Sequence, residues 1–487
     1  MNALAQKPAV RVGSLMAALL AACVAFQLNA SMLSPALVTM AKELNTDDAT
    51  IGLSQTMFFT AAALFSLFLP RLSDIIGRKR VLVGMLAIMT VGTVIAALAT
   101  NVEMLFVGRI IQGVTGPVVP VTLLMLRGEI QDPKRYGTMM GIITAVNGGI
   151  AGIDALAGGW LVANHGFRSV FWTMTVVAVI AIVFVLVWAP ESRPSKDTKM
   201  DWLGVVPLVV SIGSFLTFLN FLGAVNESNW FIIWALPVLG LASFWAFWVF
   251  ESRIAAPLIP PKYLKQRSSW ALLVTTLLTM TGVFAVVNGL VASIAQNTEA
   301  GFGLGADLTS LWFLMPYAVA GWIVGPFAGR LAPSFGYLNV MRVGMLGTIV
   351  GTIVMAFVGV HSLPVLIATT IVLGITYAGI GNIMLNGLGI VLSPKDNPGF
   401  LPGLNAGAFN LGAGVSFAIL PAVQLLFTSA DDPTSTTGYS AGMLAGAAIS
   451  ILGFAMSFLI PTPTDAEVTT PAAVAAVATP AAPATVK

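Results

Sequence analysis

"RLSDIIGRKR", residues 71–80, packs Arg71, Arg78, Lys79 and Arg80 together with Asp74 between two long apolar runs. The surrounding chain has 487 residues, of which 57% are hydrophobic and only 9% charged. A soluble globular domain carries about 25% charged residues, so this chain cannot cover its apolar groups with a water-facing shell. The bilayer has to be the solvent for most of its surface. In that setting the cluster reads as a polar loop that separates two membrane spans.

A spanning helix needs about 20 mostly apolar residues to cross about 30 Å of hydrocarbon. Read outward from the loop with that ruler, the chain predicts fourteen spans near 13–41, 52–71, 81–100, 103–126, 137–163, 168–189, 202–222, 230–250, 269–296, 307–330, 338–360, 363–392, 402–427 and 439–460. Lys7 and Arg11 precede the first run much as in a secretory signal, but the run continues through Met40, which predicts a retained span. Long uninterrupted runs predict helices, because a helix satisfies its own backbone in lipid.

Alternating spans with the N-terminus in the cytoplasm place almost every Lys and Arg on one side, with Lys42 and Arg168 outside and Arg109 inside a span. Glu43, Asp47, Asp48, Glu103, Glu227, Glu299, Asp307, Asp431 and Asp432 then fall outside. This is the charge bias of an inner (plasma) membrane protein with both termini in the cytoplasm. The predicted division is a cytoplasmic N-terminus (1–12), a six-helix bundle (13–189), linkers with two extra helices (190–268), a second six-helix bundle (269–461) and an Ala/Pro/Thr-rich disordered tail (462–487). The halves share a weak repeat. "FLPRLSDIIGRKRVLVG" (68–84) resembles "FAGRLAPSFGYLNVMRVG" (327–344), and Arg71 and Gly77 match Arg330 and Gly336 at one offset.

These residues resemble the major facilitator superfamily, and within it the fourteen-span branch that includes drug:proton antiporters. The loop follows the family pattern G-x-L-a-D-r-x-G-r-k-x-x-l at Leu72, Asp74, Gly77, Arg78, Lys79 and Leu82, with Pro70 and Ile75 departing from it. "RIIQG" (109–113) resembles the fourth-span R-x-x-q-G, and the stretches at 190–204 and 250–268 resemble the linkers of the inserted spans. The resemblance implies an all-α polytopic fold of 14 transmembrane helices, two six-helix bundles plus two inserted ones. It also implies a gating role for Asp74, Gly77, Arg78 and Lys79. On physical grounds Asp74 is placed to pair with Arg78 or a helix N-terminus, and Gly77 permits a tight turn.

Arg109 and Asp154 are the charges that fall well inside spans, where a charge at the bilayer centre costs roughly 2.5–3.5 kcal/mol. Counting from the outer helix ends at about 1.5 Å per residue, they lie at similar depth on consecutive helices. They are therefore candidates for proton coupling, as an ion pair or a shared proton path. The drug antiporters carry Gly-Pro in span five where this chain has Asp154-Ala155, and an acidic residue in span one where it has Asn29.

Amides at Asn29, Gln55, Asn147, Asn288, Asn382, Asn386, Asn405 and Asn410, with Tyr377, are candidates for the substrate cavity. Phe58, Phe59, Trp160, Tyr317 and Trp322 are candidate aromatic walls. With Asp307, Arg330 and Arg342 assigned to the polar segments at the span ends, the spans of the second half contain no charge, so a substrate held there by ionic attraction is not expected. Cys23 is alone, which excludes an intramolecular disulfide, and His165 and His361 fit no metal spacing. The phosphate-cradling loop of an ATP motor is absent, and no nucleophile constellation appears. An enzyme, a metal and a cofactor are accordingly not expected. The expected partners are the bilayer, protons and a small-molecule substrate, for a monomer that does not bind nucleic acid. The resemblance implies alternating access, with proton-coupled efflux of drug-like or amphipathic compounds. The alternative is uptake or facilitated transport of a neutral or zwitterionic metabolite without proton antiport, and a non-transporting scaffold is more remote.

Overall fold

The structure, a computed structural model, describes residues 12–130, 132–192, 202–222, 230–254, 261–394, 400–429 and 432–463. The expected N-terminal segment up to residue 11, the tail from residue 464 and the linker stretches 193–201 and 255–260 lie outside the described residues. So does the side chain of Asn147.

Long helices follow one another in antiparallel hairpins. They are α1 (Val12–Glu43), α2 (Asp48–Ile76), α3 (Arg78–Ala97), α4 (Val102–Glu129), α5 (Pro133–His165), α6 (Phe167–Trp188), α7 (Trp202–Leu222) and α8 (Trp230–Glu251), then α9 (Arg267–Gln296), α10 (Ala306–Ala332), α11 (Tyr337–His361), α12 (Leu363–Val391), α13 (Phe400–Leu426) and α14 (Thr437–Ser457). No strand occurs among the described residues. Among the described residues twelve helices are long and apolar enough to cross a membrane, against the fourteen expected. Over the side chains described, α5 does not enter that set, and α7 enters only as the shorter apolar stretch Gly204–Phe215.

Local chemistry sets the helix ends. Asp47 caps α2 by accepting from Thr50 N at 2.8 Å, and Asn101 caps α4 by accepting from Met104 N at 2.9 Å. Single glycines turn α2 into α3 and α10 into α11: Gly77 at φ 110°, ψ 132° and Gly336 at φ 84°, ψ 131°. Side chains rarely adopt these angles, and the match gives the sequence repeat a shared backbone geometry. Close packing inside each half relies on small residues. A Cβ on Gly108 of α4 would lie 2.8 Å from Gly92 O of α3, and one on Gly446 of α14 would lie 2.5 Å from Gly282 O of α9.

Helices α1–α6 form one half and α9–α14 the other. They meet along two seams, α2 against α13 and α5 against α10. The α7–α8 hairpin lies across the first seam. Ile212 and Leu53 pack against the cluster of Val415 and Ala418, while Leu208 and Phe247 pack with Leu67 and Leu404. The second seam is left with an apolar groove of about 700 Å³, bordered by Ile153, Trp160, Asp307 and Leu311. Regular α-helix is interrupted in both halves. Short 3₁₀ turns break α1 at Ser34–Ala36 and α4 at Gly113–Thr115. Wider π-helical stretches break α9 at Val286–Val291, α10 at Ser310–Leu314 and α12 at Gly374–Gly381. Such breaks concentrate at functional positions because they free backbone groups and redirect side chains.

Candidate functional site

The stretch 71–80, expected as a loop, is the end of α2 and the start of α3 joined at Gly77, and it forms a clamp at that end of the molecule. Asp74 Oδ1 accepts from Arg78 Nε at 3.0 Å and Nη2 at 2.9 Å, and Arg78 Nη1 donates to Leu124 O of α4 at 2.6 Å. Ser192 and Glu191, just beyond α6, complete the cluster. Ser192 Oγ accepts from Arg78 N at 2.8 Å and Glu191 Oε1 from Lys79 N at 3.2 Å. Lys79 Nζ donates to Leu186 O at 2.8 Å, and Arg80 lies 3.6 Å from Glu191. A Cβ on Gly77 would lie 2.5 Å from Glu191 Oε1, so both its φ and its surroundings require glycine. The stretch thereby ties α2, α3, α4 and α6 together within one half.

Deep in the same half, Arg109 is fully buried. It donates to Gln112 Oε1 at 2.6 Å, to Asn29 O at 3.1 Å, to Ser54 O at 3.4 Å and to Gln55 Oε1, and its guanidinium lies 4.3 Å from the Phe58 ring centroid. Several acceptors and an aromatic face thus solvate the cation in place of water.

Asp154, 3% exposed, does not pair with Arg109. Helix α1 stands between them. Asn29 of α1 receives Arg109 through its carbonyl, while Ser31 Oγ, two residues further on, donates to Asp154 Oδ2 at 2.6 Å. The expected ion pair fails because depth along a helix says nothing about the direction in which a side chain points. Asp154 Oδ1 is buried and has no hydrogen-bond partner.

The halves close together at the Asp48 end. Ser34 Oγ donates to Asn288 Oδ1 at 3.4 Å, Gln296 Nε2 to Pro35 O at 3.2 Å and Thr56 Oγ1 to Gly414 O at 2.9 Å. Asp48 accepts from Ser293, whose hydroxyl is 2.9 Å from that of Tyr439, and Tyr439 also accepts from Asn297 at 3.2 Å. Toward the Gly77 end the contact opens. Ala17, Leu20, Ala21, Val24 and Gln27 form a half-buried stripe on α1, whereas residues 28–38 are all buried. The half-buried stripe, read as the wall of a gap between the halves, ends at Gln27. Beside it an aromatic chain crosses from half to half: Phe26–Phe58 at 6.1 Å, Phe58–Phe59 at 5.0 Å, Phe59–Phe284 at 5.1 Å and Phe284–Phe409 at 6.1 Å between centroids.

The expected cavity amides separate into groups. Asn288 is half-buried at the meeting of the halves, its Nδ2 donating to Phe284 O at 3.0 Å. Asn386 donates to Asn382 Oδ1 at 3.0 Å, and both retain exposure. Asn29 is fully buried, donating to Ala25 O at 2.8 Å, and Gln55 is engaged by Arg109. Asn405 accepts from Thr276 at 2.7 Å and is buried, as is Asn410. Tyr377 donates to Met280 Sδ and lies in the π-helical stretch of α12. Trp160 and Trp322, each 55% exposed, stand on the outer surface rather than in the gap. Gln27, Ser31 and Glu191 were not anticipated. Gln27 was legible as a second amide two residues before Asn29, but the partners of Ser31 and Glu191 lie more than 100 residues away. Among the described residues no group of three or more His, Cys, Asp or Glu is placed to hold a metal.

The pattern of the Major Facilitator Superfamily matches residues 19–417. A uridine/deoxyuridine transporter of Lactococcus lactis subsp. cremoris (strain MG1363) is 54% identical over 477 residues, covering 96% of this chain and 99% of that protein. The multidrug resistance protein Stp of Mycobacterium tuberculosis (strain CDC 1551 / Oshkosh) is 24% identical, over 76% of this chain and 67% of its own length. The expected kinship with drug antiporters is thus the weaker of the two. Among solved structures, a mutant of the nucleoside transporter NupG superposes with a TM-score of 0.56 at 16% identity, over 91% of this chain and 100% of that one. The human organic anion transporter MFSD10 superposes with a TM-score of 0.61 at 13% identity, over 93% of this chain and 100% of that one. These two likenesses concern the fold. With its all-helical halves, its Gly77 clamp and a match through most of its length, the chain is a multi-pass membrane transporter and belongs to the Major Facilitator Superfamily.

Proposed function

We propose that the protein takes up pyrimidine nucleosides, uridine and deoxyuridine among them, by alternating access between its two halves. The observation that carries this reading is the 54% identity, over 96% of the chain, with the uridine/deoxyuridine transporter. Efflux of drug-like compounds is the weaker reading, since the multidrug protein Stp shares only 24%. The site chemistry agrees. A nucleoside is neutral and amphipathic, and the gap ends among Gln27, Asn288 and the ring of Phe284. A side-chain amide offers both donor and acceptor, which suit the imide edge of uracil, and a ring supplies a stacking face. Small-molecule sites combine mostly apolar walls with a few placed polar groups in this way.

In this reading the protein is a fourteen-span chain with the Gly77 end in the cytoplasm, and the gap opens inward. The clamp of Asp74, Arg78 and Glu191 holds its half as one body while the α9–α14 half rocks. The full chain in proteoliposomes is expected to accumulate radiolabelled uridine, with unlabelled deoxyuridine competing and ethidium passing unaffected. Ethidium export without uridine movement would overturn the proposal in favour of drug efflux.

A further inference from the structure

We infer that Gln27, Ser31 and Asp154 form a relay that couples a proton to the solute bound at the end of the gap, making the transporter a symporter. The inference rests on the nucleoside reading for the identity of that solute.

The geometry is a bistable hydroxyl. Ser31 Oγ has two acceptors in reach, Asp154 Oδ2 at 2.6 Å and Gln27 O at 3.0 Å, and a serine carries one proton to give. Gln27 Nε2 donates to the same oxygen at 3.0 Å. With Asp154 ionised, Ser31 donates to the carboxylate and accepts from the Gln27 amide. When a proton from the aqueous side binds Asp154, the new carboxyl O–H donates to Ser31 Oγ. The serine proton then turns to Gln27 O, and the Gln27 amide must now share Ser31 Oγ with the carboxyl O–H, which loosens its hold and leaves it to turn toward a solute. Both arrangements keep Ser31 and Asp154 hydrogen-bonded to each other, so the network has two states rather than one. Buried networks with discrete alternatives of this kind transmit a change at one end to the other.

The two ends are placed to do so. Gln27 is half-buried where the gap stops, so its amide can meet a solute. Asp154 is buried, and its second oxygen has no partner. It lies eleven residues from the end of α5 at His165, about 16 Å into the span by the helical rise. An ionisable side chain at such depth is a functional candidate by default.

The other charged and titratable groups on the elements around α5 are engaged elsewhere or lie at helix ends. Arg109 of α4 is directed to Gln55, Gln112 and the backbone of α1 and α2. Cys23 of α1 is 3.5 Å from Thr122, and Arg168 of α6 pairs with Glu43 at 2.8 Å. On α10, Asp307 stands in the first turn and Arg330 near the opposite end, while Tyr317 backs onto Gly374. Lys42 ends α1, Glu103 begins α4, and Arg127 and Glu129 end it. Ser31 is the side chain bonded to Asp154.

The test uses the full chain in proteoliposomes. Wild type is expected to alkalinise a lightly buffered exterior when uridine is added, and to accumulate uridine on an inward proton gradient. Asp154→Asn keeps equilibrium exchange of uridine but loses gradient-driven accumulation by ~10-fold or more, as one pH unit of driving force implies. Ser31→Ala moves the pH at which uptake is half-maximal, and Ser31→Thr restores it. Exchange activity in the Asp154 and Ser31 variants separates loss of coupling from loss of folding. A wild type that moves uridine with no response to the gradient overturns the relay and leaves the nucleoside reading standing. So does a Ser31→Ala variant with the wild-type pH profile. A wild type that responds to protons with other solutes but not with uridine keeps the relay and overturns the nucleoside.

Discussion

The two halves share a backbone plan and differ in where they put charge. At the repeat offset that joins Gly77 to Gly336, Asn29 of α1 corresponds to Asn288 of α9, and Ser34 to Ser293. Aligning the breaks at Gly113 and Gly374 sets Arg109 of α4 against Thr370 of α12. In the N-terminal half, a buried cation gathers α1, α2 and α4 into one knot, and a charged helix junction clamps the Gly77 end. In the C-terminal half, Thr370 bonds only within its own helix, to Leu366 O at 2.7 Å, and position 333, opposite Asp74, is Pro. Three of its helices carry π-helical stretches, against 3₁₀ turns in the other half. In the proposed alternating-access reading, a half cross-linked by charge-assisted hydrogen bonds is expected to move as a body, while one whose helices are locally unwound is expected to bend at those stretches.

The largest expected effect comes from removing the knot. Arg109→Leu leaves the carbonyl oxygens of Gln55 and Gln112 buried without a donor, which costs about 4 kcal/mol when both desolvation penalties are counted. Thr370→Val, at the equivalent place, costs about 1 kcal/mol or less. Thermal unfolding of the two variants in detergent measures the contrast, and equal losses would break the comparison.

Next comes the loop pair. Gly77→Ala combines an unfavourable φ with a contact on Glu191 and is expected to cost about 2–3 kcal/mol. Gly336→Ala meets nothing closer than Asn339 Nδ2 at 3.7 Å and is expected to cost about 1 kcal/mol, from the backbone alone. The same unfolding assay ranks them.

Tyr439→Phe removes the hydroxyl that joins Ser293 and Asn297 at the closed end. A loss of about 1 kcal/mol shifts the balance toward opening there by ~5-fold. Faster thiol labelling of an Asn288→Cys variant from the Asp48 side would register it, and an unchanged rate would remove the Asp48–Ser293–Tyr439 cluster from any role in closure. Asp74→Asn is expected to change stability least, by about 0.5 kcal/mol, because its pair with Arg78 is partly exposed at 38% and 22%. Its effect should appear as a slower uridine turnover rather than a lower unfolding temperature.

Much of the architecture was legible along the chain. The apolar runs located the helices, although twelve rather than fourteen meet the membrane criterion over the described side chains. The polar loop and its glycine were visible because Gly77 is required by local backbone geometry, and Gly336 repeats it. The site was less legible. Asn29 and Asn288 look alike in sequence, yet one is sealed within its half and the other faces its neighbour. Glu191 reads as an ordinary linker residue until it meets Gly77.

By itself the sequence determined that this protein lives in lipid and is helical, since 9% charge leaves water no surface to hold and hydrocarbon leaves the backbone no other partner. Tertiary structure alone decided the polar pairings: Arg109 with Asn29, 80 positions away, and Ser31 with Asp154, 123 positions away. The physical reason is that helix formation is satisfied within a few residues, whereas a buried side chain takes its partner from whichever helix packing brings beside it.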